Sequence, residues 1–98
     1  MFRIGFSEDG VVVLEGRLDA AQAPRAQEFL DQVTQGCTLD LAGLEYISSA
    51  GLGVLLRTHK RLMSIGGLRL TNVNRHINDI FVYSGFDRLF EIHRAGEP

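Results

Sequence analysis

The strongest constraint in this 98-residue chain is a change of hydrophobic period near its middle. Over residues 37–44, Cys37, Leu39 and Leu41 alternate with Thr38, Asp40 and Ala42. A period of two is that of a half-buried strand. Further on, Leu52, Leu55, Leu56, His59, Leu62 and Met63 recur at offsets 0, 3, 4, 7, 10 and 11. That spacing predicts an amphipathic helix of about four turns, stopped by Gly66-Gly67. Between them lies Ser48-Ser49-Ala50-Gly51-Leu52-Gly53. A strand that runs into a helix through a short polar turn commits the chain to a βα unit.

The flanks extend the pattern. Residues 3–6 read as a short edge strand, and Glu8-Asp9-Gly10 as its turn. The β-branched run 11–14 predicts a strand covered on both faces, continuing through Glu15-Gly16-Arg17-Leu18-Asp19. Pro24 marks a helix start, with Ala26, Phe29, Leu30 and Val33 at helical spacing and Gly36 as its stop. Asp19 can cap an earlier turn. Residues 68–73 alternate as another strand. Asn74 can cap a third helix, with Ile77, Ile80 and Phe81 inward and Gly85 as a left-handed stop. Phe86, Leu89 and Phe90 lead to a last strand near 91–93, the three phenylalanines 81, 86 and 90 being core. The expected architecture is one α/β domain over 1–98. It has a mixed sheet of four to five strands, order β-β-α-β-α-β-α-β, and about three helices mostly on one face.

Hydrophobic residues are 45% and charged residues 22%, a globular balance. Ten basic against twelve acidic residues give a net charge of −2, which argues against nucleic-acid binding. No apolar stretch is long enough for a membrane span, and the first residues carry no signal-like segment. Cys37 is the single cysteine, so no internal disulfide is expected, and a cytoplasmic location fits.

The residues of catalysis are not assembled. His59, His76 and His93 fall on separate elements, without the clustered ligands of a zinc site. His59 sits on an apolar helix face and reads as a packed, hydrogen-bonded side chain. A nucleophile elbow needs Gly two places before its Ser, where Tyr46 and Ile47 stand. Gly51-Leu52-Gly53 is half a dinucleotide fingerprint, with Leu56 at the third glycine position. Cys37 has no base nearby and reads as a small apolar filler. The expectation is a non-enzyme, with no catalytic residue, no metal and no cofactor.

What remains is the hydroxyl pair. Either serine can cap the helix that starts near Ala50. The second reading is a phosphoacceptor. A phosphate there adds about −1.5 to −2 charge at a helix start suited to anions. It would repel a partner packed on the turn without refolding the chain.

Residues 39–56, from Leu39-Asp40-Leu41 through Tyr46-Ile47-Ser48-Ser49-Ala50-Gly51-Leu52-Gly53 to Leu56, resemble the signature of the STAS domain. That domain is shared by anti-sigma factor antagonists and sulphate transporters. Gly16-Arg17-Leu18-Asp19, Ile65-Gly66-Gly67-Leu68-Arg69-Leu70 and Tyr83-Ser84-Gly85-Phe86-Asp87-Arg88-Leu89-Phe90 resemble other parts of the same family pattern. In the antagonists the turn reads Asp-Ser-Ser/Thr-Gly, and the Ser after Asp is phosphorylated by a kinase-type anti-sigma factor. Aligned on Gly51, the acceptor is Ser49. The Asp position holds Ser48, which leaves Ser48 as the alternative acceptor. The resemblance implies a partner surface including Asp19, Ser48, Ala50, Gly51, Gly53 and Arg57.

It also implies a switch. The unmodified chain would bind the kinase-type anti-sigma factor and free a sigma factor or another output. A serine phosphatase would reset it. ATP and metal would belong to those partners. The alternative is a STAS accessory subunit of a lipid-transporting ABC complex, gripping the ATPase subunit. Arg57, Lys60, Arg61 and Ser64 form either a solvated helix face or a basic rim for an acidic partner. The family carries a helix after its last strand, whereas this sequence ends Gly96-Glu97-Pro98. The expectation is exposed apolar surface covered by a partner or, in a homodimer, by a second copy.

Overall fold

The computed structural model describes residues 1–96. Strand β1 (Phe2–Phe6) and strand β2 (Val12–Leu18) form an antiparallel hairpin, with Phe2 opposite Gly16 and Phe6 opposite Val12. Ser7 closes its turn, where Gly10 N–H donates to the Ser7 carbonyl at 3.0 Å and Val11 N–H to Ser7 Oγ at 3.2 Å. Helix α1 (Ala23–Leu30), strand β3 (Cys37–Ile47), helix α2 (Ser49–Leu62), strand β4 (Leu68–Val73), helix α3 (Arg75–Ser84) and strand β5 (Glu91–Arg94) complete the order. The five strands lie in sequence order, and every pair after the first is parallel. Each crossover therefore steps one strand in the same direction. Crossovers of one hand then put their helices on one face of the sheet. This is the expected α/β architecture and element order, with five strands.

The sheet residues divide accordingly. Val12, Leu14, Leu18, Leu39, Leu41, Leu44, Ile47, Leu68, Leu70 and Val73 are buried under the helices, with Phe81 and Ile77 of α3 and Leu52, Val54, Leu55 and Leu62 of α2. The opposite face is open and polar. Arg17 lies 4.5 Å over the Tyr46 ring, and Glu91 pairs with both Arg69 and His93. Strand β2 thus alternates instead of being covered on both faces: Val13 is half-buried and Glu15 and Arg17 are exposed. The β-branched run reflects strand propensity, and among the described residues no layer covers its outer side.

Two other expectations are corrected. Helix α1 ends at Leu30 with Asp31 as its cap, well before Gly36. Gly36 serves a close approach instead: a Cβ there would stand 2.9 Å from Gly66 Cα, and its N–H donates to the Ile65 carbonyl at 2.9 Å. Met63 leaves the apolar stripe of α2 and is 63% exposed, because the chain tightens into a 3-10 turn over Met63–Ile65. Thr58, not foreseen inside, is fully buried.

The capping expectations hold. Asn74 Oδ1 accepts from Ile77 N–H at 2.9 Å, and Gly85 ends α3 at φ 76. His59 is packed as expected, its Nδ1 accepting from Leu68 N–H at 3.0 Å and its ring 4.8 Å from that of Phe90. Among the described residues, no helix is long and apolar enough to cross a membrane. The end of the chain at Glu97 and Pro98, with the expectation attached to it, lies outside the described residues.

Candidate functional site

The parallel strands β2 and β3 deliver their carboxyl ends side by side. The Ser48 N–H donates to the Leu18 carbonyl at 2.9 Å, joining the start of the Asp19 loop to the serine turn. This edge, just beyond the carboxyl ends of parallel strands, is where α/β sheets place their binding surfaces.

The two serines differ. Ser48 is the N-cap of α2, in extended geometry (φ −89, ψ 174), and its Oγ accepts from Gly51 N–H at 3.3 Å. It is half-buried, and its hydroxyl is engaged by the backbone. Ser49 is the first helical residue, exposed, and its hydroxyl has no hydrogen-bond partner among the described residues. Ser48 does what an Asp would do there, since both residue types accept from the first-turn amides. The departure from the family's Asp-Ser pattern keeps the cap and removes a negative charge.

Gly51 is not at the surface. It is buried, and a Cβ there would stand 2.8 Å from Ile47 Cγ1, 2.8 Å from Leu18 Cγ and 2.9 Å from the Leu18 carbonyl oxygen. Its glycine lets α2 seat on the ends of β2 and β3. The expectation of Gly51 as a partner contact is corrected on that ground. Asp19 is half-buried and caps the turn before α1, Oδ1 accepting from Gln22 N–H at 3.2 Å.

A shallow groove between α1 and α2 opens beside Ser49. It is lined by Ala20, Ala23, Pro24 and Gln27 on one side and Ser49, Ala50, Gly53 and Arg57 on the other. The structure thus brings together Ser49, Ala50, Gly53 and Arg57 of the expected surface. It adds Gln27, whose Oε1 accepts from Arg57 Nε at 3.0 Å. Sequence reasoning missed Gln27 because nothing local links it to a residue thirty positions on. Arg61 is exposed on the expected outer face and is also tied down: Nη1 and Nη2 donate to the carbonyls of Val33 and Leu30 at 2.8 and 2.7 Å, satisfying the end of α1.

The titratable groups with shifted behaviour lie elsewhere. Burial pushes the Cys37 thiol up, against the lowering effect of Arg61, which suits a packed thiol rather than a nucleophile. His93 and Arg69 hold the Glu91 carboxyl below its ordinary range on the open sheet face. Among the described residues, no group of three or more His, Cys, Asp or Glu is placed to hold a metal ion.

The family model described as "Mlab, STAS domain" matches residues 5–91. The chain belongs to the STAS domain family. It is 36% identical over 96 residues to the "Putative anti-sigma factor antagonist BtrV" of Bordetella bronchiseptica (strain ATCC BAA-588 / NCTC 13252 / RB50), covering 91% of this chain and 83% of that protein. Its fold matches an anti-sigma factor antagonist from Mycobacterium paratuberculosis with a TM-score of 0.77 at 22% identity, over 95% of this chain and 84% of the other. It also matches the anti-sigma factor antagonist SpoIIAA, solved in its unphosphorylated form, with a TM-score of 0.63 at 17% identity, over 91% and 97% of the two chains.

Proposed function

We propose that this chain is a non-catalytic, cytoplasmic anti-sigma factor antagonist, switched by phosphorylation of Ser49. One observation carries the choice of residue. Ser49 has a free, exposed hydroxyl at the rim of a groove, whereas the Ser48 hydroxyl is held by the Gly51 amide. The name of the Bordetella relative supports the class, and the solved unphosphorylated form of SpoIIAA supports phosphorylation as the currency.

In this reading the unmodified chain presents Ser49, Ala50, Gly53 and Arg57 to a kinase-type anti-sigma factor. The kinase transfers the γ-phosphoryl group of ATP to Ser49 Oγ. The new O–P bond forms as the β,γ-bridge breaks, ADP leaves, and the hydroxyl proton passes to a base of the kinase. The added charge of about −1.5 to −2 sits at the contact and drives the partner off by repulsion and desolvation. A serine phosphatase resets the chain by hydrolysis. The test is phosphopeptide mapping after incubation with ATP and an extract of the source cells. The group should map to Ser49; mapping to Ser48 alone would overturn the assignment.

The other reading makes the same turn a permanent contact, in an accessory subunit of a lipid-transporting ABC complex. The observation in its favour is the residue before Ser49, where the antagonist pattern has Asp and this chain has Ser48. That reading expects no phosphate on either serine.

A further inference from the structure

Among the described residues, Arg57 is the one charged side chain lining the groove beside Ser49, and it leans towards the serine's end of the helix. Ser49, Gly53 and Arg57 are each four residues apart, so they form one stripe along α2. Eight helical residues rise about 12 Å, and the posture of Arg57 covers much of that distance. Its guanidinium lies over Gly53, with Nη1 3.1 Å and Cζ 3.8 Å from where a Cβ would stand. A Cβ at position 53 would make Nη1 give by a few tenths of an ångström.

Gln27 holds the guanidinium from the α1 side. Its Oε1 accepts from Arg57 Nε at 3.0 Å, while its Nε2 donates to Asp31 Oδ1 at 2.9 Å and to Thr58 Oγ1 at 3.4 Å. Those two bonds turn the amide so that its oxygen faces Arg57. Among the described residues, no hydrogen bond uses Nη1 or Nη2 of Arg57, and no carboxylate lies within ion-pair distance of it. A positive, two-pronged donor is thus held on the stripe of Ser49 with its prongs unused.

We propose that Arg57 is an intramolecular clamp for a phosphate on Ser49, its two terminal nitrogens taking two phosphate oxygens across Gly53. The inference rests on the reading of Ser49 as the acceptor. The rise of about 6 Å left between residues 49 and 53 is within the joint reach of a phosphoserine and a guanidinium. The fork of Arg matches two oxygens of a phosphate. The clamp adds shape to charge: the phosphate occupies the groove, withdraws Arg57 from any partner, and stays doubly ionised to lower pH.

The test uses the full chain with phosphoserine placed at position 49 during synthesis, so no kinase is needed. Phosphorus NMR follows the second ionisation of the phosphate, ordinarily near pH 6. In the natural background it should titrate about half a unit lower than in the Arg57→Gln background. Gly53→Ala, which crowds Nη1, should move it the same way as Arg57→Gln. Equal curves in all three backgrounds would overturn the clamp. A second readout needs no substitution: the Arg57 Nε–H resonance should shift between serine and phosphoserine chains, and an unmoved resonance is equally contrary. Phosphate mapped to Ser48 by the cell's own kinase would remove the Ser49 reading instead, while these titrations would still report the geometry.

Discussion

Two strand-to-helix turns in this molecule are built alike and differ in the residue after the cap. At one, Ser48 caps α2 by accepting from Gly51; at the other, Asn74 caps α3 by accepting from Ile77. Both caps are extended and both bond the third helical residue. After Asn74 comes Arg75, and the cap amide also donates to the Leu44 carbonyl at 2.9 Å, tying α3 to the sheet. After Ser48 comes Ser49, exposed and without a partner among the described residues, at the rim of a groove shared with α1. Helix starting accounts for Asn74, and Arg75 after it is exposed and, among the described residues, has no partner either, but it lines no groove shared with α1. Helix starting accounts for Ser48 at the other turn and leaves Ser49 over.

That contrast can be broken at matched positions. Ile77 and Gly51 hold the same place after their caps, one filling the core and the other clearing space for it. Ile77→Ala opens a cavity and should cost about 3 kcal/mol in urea unfolding. Gly51→Ala inserts a Cβ against Leu18 and Ile47 and should cost about 2 kcal/mol. If Gly51→Ala is neutral, the close seating of α2 is wrong. The caps come next. Asn74→Ala loses two hydrogen bonds and should cost about 1.5 kcal/mol, against about 1 kcal/mol for Ser48→Ala. Thermal melting should rank them in that order, at about 4–8 °C per kcal/mol for a chain of this size.

The smallest stability effect belongs to Ser49, the proposed acceptor. Ser49→Ala should change the unfolding free energy by less than about 0.5 kcal/mol, as at other surface sites. A loss comparable to that of Ser48→Ala would mean that the two hydroxyls share the capping.

Much of this was legible in the chain. The alternation of Leu39 and Leu41, the stripe of Leu52, Leu55 and Leu62, and the cap at Asn74 are local signals with local causes. Ser49 was legible too, but only as one of two serines; separating them needed the Ser48–Gly51 bond. What stayed hidden depends on residues far apart in sequence. Gly36 looked like a helix stop because glycine often is one, yet its smallness meets Gly66 across the fold. Gly51 looked like part of a surface motif, and it is buried under Leu18. Arg61 looked like one of several outward cations; it is one, and it also holds the end of α1 through the carbonyls of Val33 and Leu30. The run 11–14 names a strand without saying how many layers cover it.

Ser48 caps the helix, and the proposed switch is Ser49. Its most direct test is an affinity capture from the source organism's lysate with three baits: the natural chain, Ser49→Ala and Ser49→Asp. A kinase-fold protein should be retained by Ser49→Ala and lost by Ser49→Asp, with all three baits equally folded. Retention of the same partners by all three, transporter subunits among them, would contradict that and leave Ser49 as a contact without a switch.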